Sequence, residues 1–195
     1  FDISQTDGEP LPELETPELM GSVENFKVFM KAVQEVSPVP VRFDEISSGA
    51  KGYYSNTEKE IVIQNGMSES QTMKTGIHEV THAMLHDRDF MEEQGEKKNQ
   101  MTKEVEAESV AYTVCQYFGL DTSDYSFPYI AGWSSSMDMK ELRTSMDTIR
   151  KTAGSFIDSM TEVIQRLMRE QPELSLSAMK QAEILIDRVE PVSYT

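Results

Sequence analysis

All three histidines of the chain fall within nine positions, in His78-Glu-Val-Thr-His82-Ala-Met-Leu-His86. On a helix, residues four apart lie one above the other, so His78 and His82 can each aim a ring nitrogen at one ion about 2.0 to 2.1 Å away. Glu79 is rotated by about 100° from His78. That offset keeps it off the ion but within reach of a water beside it. This is the HExxH zinc helix, whose chemistry is hydrolysis with the glutamate as general base. The plain alternative is a solvated helix that happens to carry two histidines and a glutamate. His86 lies roughly 12 Å of helix rise beyond His78, too far for both to share an ion comfortably. It is expected to be a helix-end residue whose charge suits the C-terminal dipole, or a contact behind a ligand.

A catalytic zinc takes three protein ligands and keeps one position open. The third ligand is expected from the acid-rich stretch Glu104-Val-Glu106-Ala-Glu108. Glu104 and Glu108 share a helix face, whereas Glu106 points away and is expected in solvent. With Glu104 on the ion, Glu108 can hydrogen-bond a ligating histidine from one turn further along and hold its tautomer. A charged first turn favoured by the helix dipole would explain the same acids without any metal.

The elements that must position these residues can be read on either side. Val23, Phe26, Met30, Val33 and Val36 recur at helical spacing until Pro38, giving a first amphipathic helix from about Ser22. Val39 to Phe43 reads as a short strand that Pro40 pushes to an edge. Gly52-Tyr-Tyr-Ser55 and Glu60-Ile-Val-Ile-Gln64, flanking Asn56 to Lys59, give a hairpin signal. Ser68 is an N-cap, with Gln71 as capping-box partner, for a helix running to about Asp87. Asp87 to Asn99 is polar and charged and is expected to be a loop or a loose turn. A second site helix follows from about Met101 to Phe118, closed by Gly119. Asp121 to Ser136 holds Tyr125, Phe127, Tyr129 and Trp133 without period and reads as an aromatic loop. Leu142, Met146, Ile149, Ala153, Phe156, Met160, Ile164 and Leu167 keep a helical stripe. Pro172 ends it, and a last helix spans about Ser175 to Val189. Met73, Met84, Met146, Met160 and Met179 are expected as core filler.

These elements predict an α+β fold, a small antiparallel sheet packed on a helical bundle that contains the histidine helix. Residues 1–20, with Pro10, Pro12 and Pro17 among acids, read as an extended linker from an upstream region. Residues 21–190 form the domain and 191–195 a tail. The chain opens without Met, a basic stretch or an apolar leader, as expected of a piece of a longer protein rather than of a secreted precursor. The formal charge of −16 is uneven: residues 1–24 hold seven acids and no base, leaving 27 acids against 18 bases elsewhere. Such a surface repels nucleic acid, so this chain is not expected to bind DNA directly. No apolar run reaches membrane-spanning length. The single Cys115, in an apolar stretch, is expected to be a buried thiol and fits a reducing cytoplasm.

Taken in order, Gly52-x-Tyr54, Ile61-x-Ile63, His78-Glu-x-x-His82, Glu104-x-x-Ala107-Glu108 and Tyr129-Ile130-x-x-Trp133 resemble the C-terminal metallopeptidase domain of ArdC-type antirestriction proteins. Those proteins are encoded on bacterial plasmids and conjugative elements and are related to the ImmA/IrrE-like zincins. The resemblance covers most of the chain and is weakest after about residue 170. It implies a zincin-like fold, zinc held by His78, His82 and Glu104, and Glu79 as catalytic base. The opening Phe1-Asp-Ile-Ser-Gln-Thr6 resembles the segment that joins a single-stranded-DNA-binding domain to the peptidase, so DNA contacts are implied to lie in that other domain.

The expected function is therefore a bacterial, cytoplasmic zinc metallopeptidase acting on a protein or peptide. The strand Glu60 to Gln64 is the expected platform for an extended substrate. Tyr125 and Tyr129 are candidates for steadying the oxyanion, with packing as their simpler role. Two rivals stand beside it: an acidic module that mimics DNA around a structural zinc, and a zincin that has lost activity and only regulates partners.

Overall fold

The computed structural model describes residues 26–95, 97–123 and 139–170. Helix α1 (Phe26–Val36) leads into strands β1 (Val41–Asp44), β2 (Gly52–Ser55) and β3 (Glu60–Gln64). Helices α2 (Glu69–Leu85), α3 (Arg88–Glu93), α4 (Gln100–Tyr117) and α5 (Met139–Glu170) follow. The class is α+β. The expected linker, the aromatic stretch from residue 124, the last helix and the tail lie outside the described residues.

The sheet is mixed, not antiparallel as expected. β2 and β3 form the hairpin, with Gly52 opposite Ile63 and Ser55 opposite Glu60. β1, however, pairs parallel to β3, Val41 opposite Ile61, so the order is β1-β3-β2. The chain leaves β1, crosses beyond β3 and returns through β2. β3 thus becomes the middle strand, and Ile61, Val62 and Ile63 are all buried. A run of three apolar residues without alternation is what a strand covered on both faces requires. Pro40 precedes the edge strand β1, and its carbonyl, which needs no N–H, accepts from Ile61 N at 2.8 Å.

Ser68 caps α2, its hydroxyl accepting from Gln71 N at 3.1 Å, while the Gln71 side chain donates to Thr75 Oγ1. His86 closes the helix, its N–H on His82 O. The stretch after it contains the short helix α3, capped by Asp87, where a loop or a loose turn was expected. A capping aspartate and one buried residue, Met91, suffice for a helix this short. Asn99 caps α4, and Gly119, at φ +81°, reverses the chain after it in the left-handed conformation that glycine tolerates.

The core joins α1, β3, α2, α4 and α5 through Val33, Ile61, Ile77, Val110, Phe156 and Met160, none of them exposed. Met73 and Met160 are core filler and Met84 packs against the core. Met146 is not: it is 58% exposed. The inward position on that turn of α5 is Ser145, one residue and about 100° away, because its hydroxyl serves a buried acid on α4. Cys115 is buried, and loss of hydration pushes its thiol up to about 12, so it is inert packing. No helix among the described residues is long and apolar enough to cross a membrane.

Phe156 touches the core from the middle of α5 and is fully buried. Phe156→Ala is expected to cost about 3–5 kcal/mol of stability, read from urea unfolding.

Candidate metal centre

α2 and α4 lie against each other, and the charged groups of both meet at that contact. His78 and His82, one turn apart on α2, bring their Nε2 atoms within 3.1 Å of each other. Glu104 Oε2, from the first turns of α4, lies 3.4 Å from the first and 3.5 Å from the second. Ligands 2.0–2.1 Å from a tetrahedral ion must be about 3.3 Å apart, so these three atoms have the spacing of three corners of such a site. Two imidazole nitrogens and one carboxylate oxygen are also the donor set of a hydrolytic zinc with a fourth position open.

The groups behind the three candidate ligands are more extensive than the sequence reading anticipated. His78 Nδ1 lies 3.1 Å from Glu108 Oε2, an oxygen that also accepts from Lys74 Nζ at 2.5 Å. Lys74 and Glu108 side chains are only 4% and 3% exposed. Lys74 was not singled out from the sequence, although it lies one turn before His78 on the same face of α2. Glu106 corrects an expectation outright: it is fully buried, not solvated. It accepts from His86 Nε2 and Lys98 Nζ, both at 2.9 Å, and from Ser145 Oγ at 2.7 Å. It does point away from the Glu104 face, but α5 and the residues before α4 occupy that side. His86 is likewise buried, and its Nδ1 sits 3.0 Å from His82 Nδ1. Desolvation lowers its pKa by more than Glu106 restores, so it is a neutral ring rather than a cation serving the helix dipole.

The electrostatics of the cluster favour positive charge at its centre. Burial disfavours the His78 imidazolium, yet Glu104 and Glu108 outweigh burial and raise its pKa to about 9. On Glu104 and Glu108 burial acts in the opposite direction, upward. His78 and His82 nevertheless hold Glu104 well below the carboxylate range, and His78 with Lys74 holds Glu108 at about 2. A field that retains a proton on an imidazole equally attracts a divalent cation, and the two compete for the same nitrogen.

Glu79 stands beside the three ligand atoms, 9% exposed, and among the described residues nothing hydrogen-bonds its carboxylate. It lines the groove that opens over the centre, with Gly52, Tyr53 and Lys103 on the opposing walls. Gly52 brings β2 unusually near. A Cβ there would lie 2.7 Å from Thr75 Cγ2, 3.1 Å from Val62 O and 3.3 Å from Glu79 Cγ. The expected substrate platform moves as a result: β3 has both edges taken by β1 and β2, so it has no ladder left to offer. The edge that borders the groove is β2. Tyr125 and Tyr129 lie outside the described residues.

The chain is 30% identical over 190 residues to an uncharacterized, plasmid-encoded protein of Bacillus anthracis. The match takes in 88% of this chain and 32% of that protein, so the chain spans about a third of its relative's length. No family model matches the chain, and no solved structure matches it.

Gly52→Ala is expected to lower stability by about 1–3 kcal/mol through the clash with Thr75, more than the about 0.4–1 kcal/mol that removing a glycine normally returns. Thr75→Ser deletes the obstructing methyl and keeps the hydroxyl that accepts from Gln71. Urea unfolding of the four proteins of that cycle should show the double variant recovering much of the loss, and additive effects would refute the contact.

Proposed function

We propose that this chain is a zinc-dependent peptidase domain of zincin-like fold, akin to the ArdC-type proteins, and that it hydrolyses a peptide bond. The observation that carries the proposal is the triangle of His78 Nε2, His82 Nε2 and Glu104 Oε2 beside a carboxylate, Glu79, that accepts no hydrogen bond from the described residues. Those three would hold a zinc ion, which when bound would supply Lewis acidity and lower the pKa of a water towards about 7.

The rest is the work of side chains. Glu79, placed one residue after the first ligand, takes the proton of the attacking water and returns it to the leaving amine. Its low exposure, with no hydrogen-bond donor to it among the described residues, suits both oxygens to that traffic. The edge of β2, running along the groove, can add an extended peptide as a further strand, with main-chain hydrogen bonds supplying register. Glu108 accepts from His78 Nδ1 and leaves Nε2 as the lone-pair end.

The inward orientation of Glu104, Glu106 and Glu108 argues against a DNA-mimicking surface built from this helix, because those acids face histidines and lysines. Plasmid encoding of the relative accords with a role on a mobile element.

Metal analysis of the purified wild-type chain should find one zinc, lost in His78→Ala and Glu104→Ala. Glu79→Gln should keep the zinc yet cleave a mixed peptide library about 10²–10⁴-fold more slowly. Undiminished cleavage by Glu79→Gln would remove Glu79 from the mechanism, and a wild type without affinity for zinc would remove the centre.

A further inference from the structure

The two histidines of the centre are supported in unlike ways. His78 has a carboxylate directly behind it, Glu108 Oε2 at 3.1 Å from Nδ1. His82 has instead another ring: its Nδ1 faces His86 Nδ1 at 3.0 Å, and His86 Nε2 faces Glu106 Oε2 at 2.9 Å. The proton positions along this chain follow from its far end. Glu106 accepts from Lys98 and Ser145 as well, so it is an ionised acceptor with no proton to give. His86 Nε2 is then the N–H. One proton alone fits between ring nitrogens 3.0 Å apart, so His82 can offer Nε2 to an ion only when its Nδ1 holds that proton and His86 Nδ1 accepts it. His82 Nδ1 is left as the donor, and its Nε2 lone pair points to where Glu104 Oε2 and His78 Nε2 converge.

Solvent has little access to these partners. The His86 side chain is 2% exposed and that of Glu106 not at all. The chain is also anchored at three places: the end of α2 carries His86, Lys98 precedes α4, and Ser145 sits on α5. The ring of His82 therefore cannot rotate, or move its proton to Nε2, without breaking a buried hydrogen bond, which costs about 1–3 kcal/mol.

We propose that His86 is a positioning residue, relaying the buried carboxylate of Glu106 to His82 and so fixing the tautomer and aim of that ring for the metal. It rests on the reading of the centre as a zinc site. His86 does not touch the ion or the substrate. The acceptor that His78 finds in one step, His82 finds in two.

The test compares three whole chains: wild type, His86→Phe and His86→Gln. Phenylalanine keeps the ring and removes both polar atoms. Glutamine replaces them, since its amide oxygen can accept from His82 while its amide N–H₂ donates to Glu106. Zinc affinity, measured by competition with a chromophoric chelator, should fall about 10–100-fold in His86→Phe and return most of the way in His86→Gln. The visible spectrum of the cobalt-saturated protein supplies a readout that simple packing would not move. It should shift in His86→Phe and match wild type in His86→Gln. If the Phe variant does not fold, His86→Met, flexible and equally unable to bridge, takes its place in both measurements. A Phe or Met variant with wild-type affinity and spectrum overturns the proposal. So does a Gln variant as impaired as the apolar one, because restored hydrogen bonding would then not restore the site. A wild type that binds no zinc is a different failure, because it removes the centre itself.

Discussion

Charge taken out of water must be matched, and in this protein that requirement falls on one helix pair. Three carboxylates on about one turn of α4 meet three imidazoles and two ammonium groups, most of them on α2. Glu108 takes Lys74 and His78, Glu104 takes His78 and His82, and Glu106 takes His86 together with Lys98. Running along α2 in one direction runs along the acids of α4 broadly in the other, as in an antiparallel ladder. Leaving one partner of a buried pair unmatched costs about 3–5 kcal/mol. Sliding α4 by a turn would strand several at once. Polar pairing thus sets the register of these helices, and the register brings His78 Nε2, His82 Nε2 and Glu104 Oε2 within 3.5 Å of one another.

Such an interface contributes little net stability, because desolvation consumes most of its attraction. The favourable balance comes from elsewhere. α1, β3 and α5 bury an apolar core against the remaining faces of α2 and α4, with Phe156, Ile61 and Val33 withdrawn from water. The division is spatial: the core lies on one side of α2, and the carboxylates and the groove on another. The short sheet adds a wall to that groove. Its middle strand is locked on both sides, whereas Gly52 lets the outer strand β2 rest against α2 at the turn that carries Glu79.

Much of this was legible in the residues. Four-residue spacing brought His78 and His82 together, and the same spacing put Glu104 and Glu108 on one face, because both rules are properties of any helix. Glu106 shows where the rule stops. Helical geometry says which way a side chain points but not what lies there. α4 is packed on both α2 and α5, and from Val105 to Ala111 every residue is buried. A helix enclosed on more than one side has no dependable solvent face, so its amphipathic pattern fades and with it the signal that would have placed Glu106. The parallel pairing of β1 failed to show for a related reason. Apolar residues mark a strand, yet strand direction within a sheet depends on connections that cross it, which no local pattern encodes. Met146 was lost to a competing demand, the hydroxyl of Ser145 for Glu106.

Three acids and three histidines in so small a volume raise the question of whether one ion or two would bind. Exposure along α4 argues for one. The Glu104 side chain is 39% exposed, that of Glu108 is 3% exposed and that of Glu106 not at all. An ion arriving from the groove therefore meets Glu104 and two ring nitrogens first. A second ion would have to displace Lys74 from Glu108, or Lys98 and the His86 N–H from Glu106, and each displaced group would be left buried and charged or polar without a partner. The lysines already supply, inside the protein, the positive charge a second metal would bring. What they leave unbalanced is the single position among His78, His82 and Glu104, where two lone pairs and a carboxylate oxygen face one another and only a proton or a cation can stand between them.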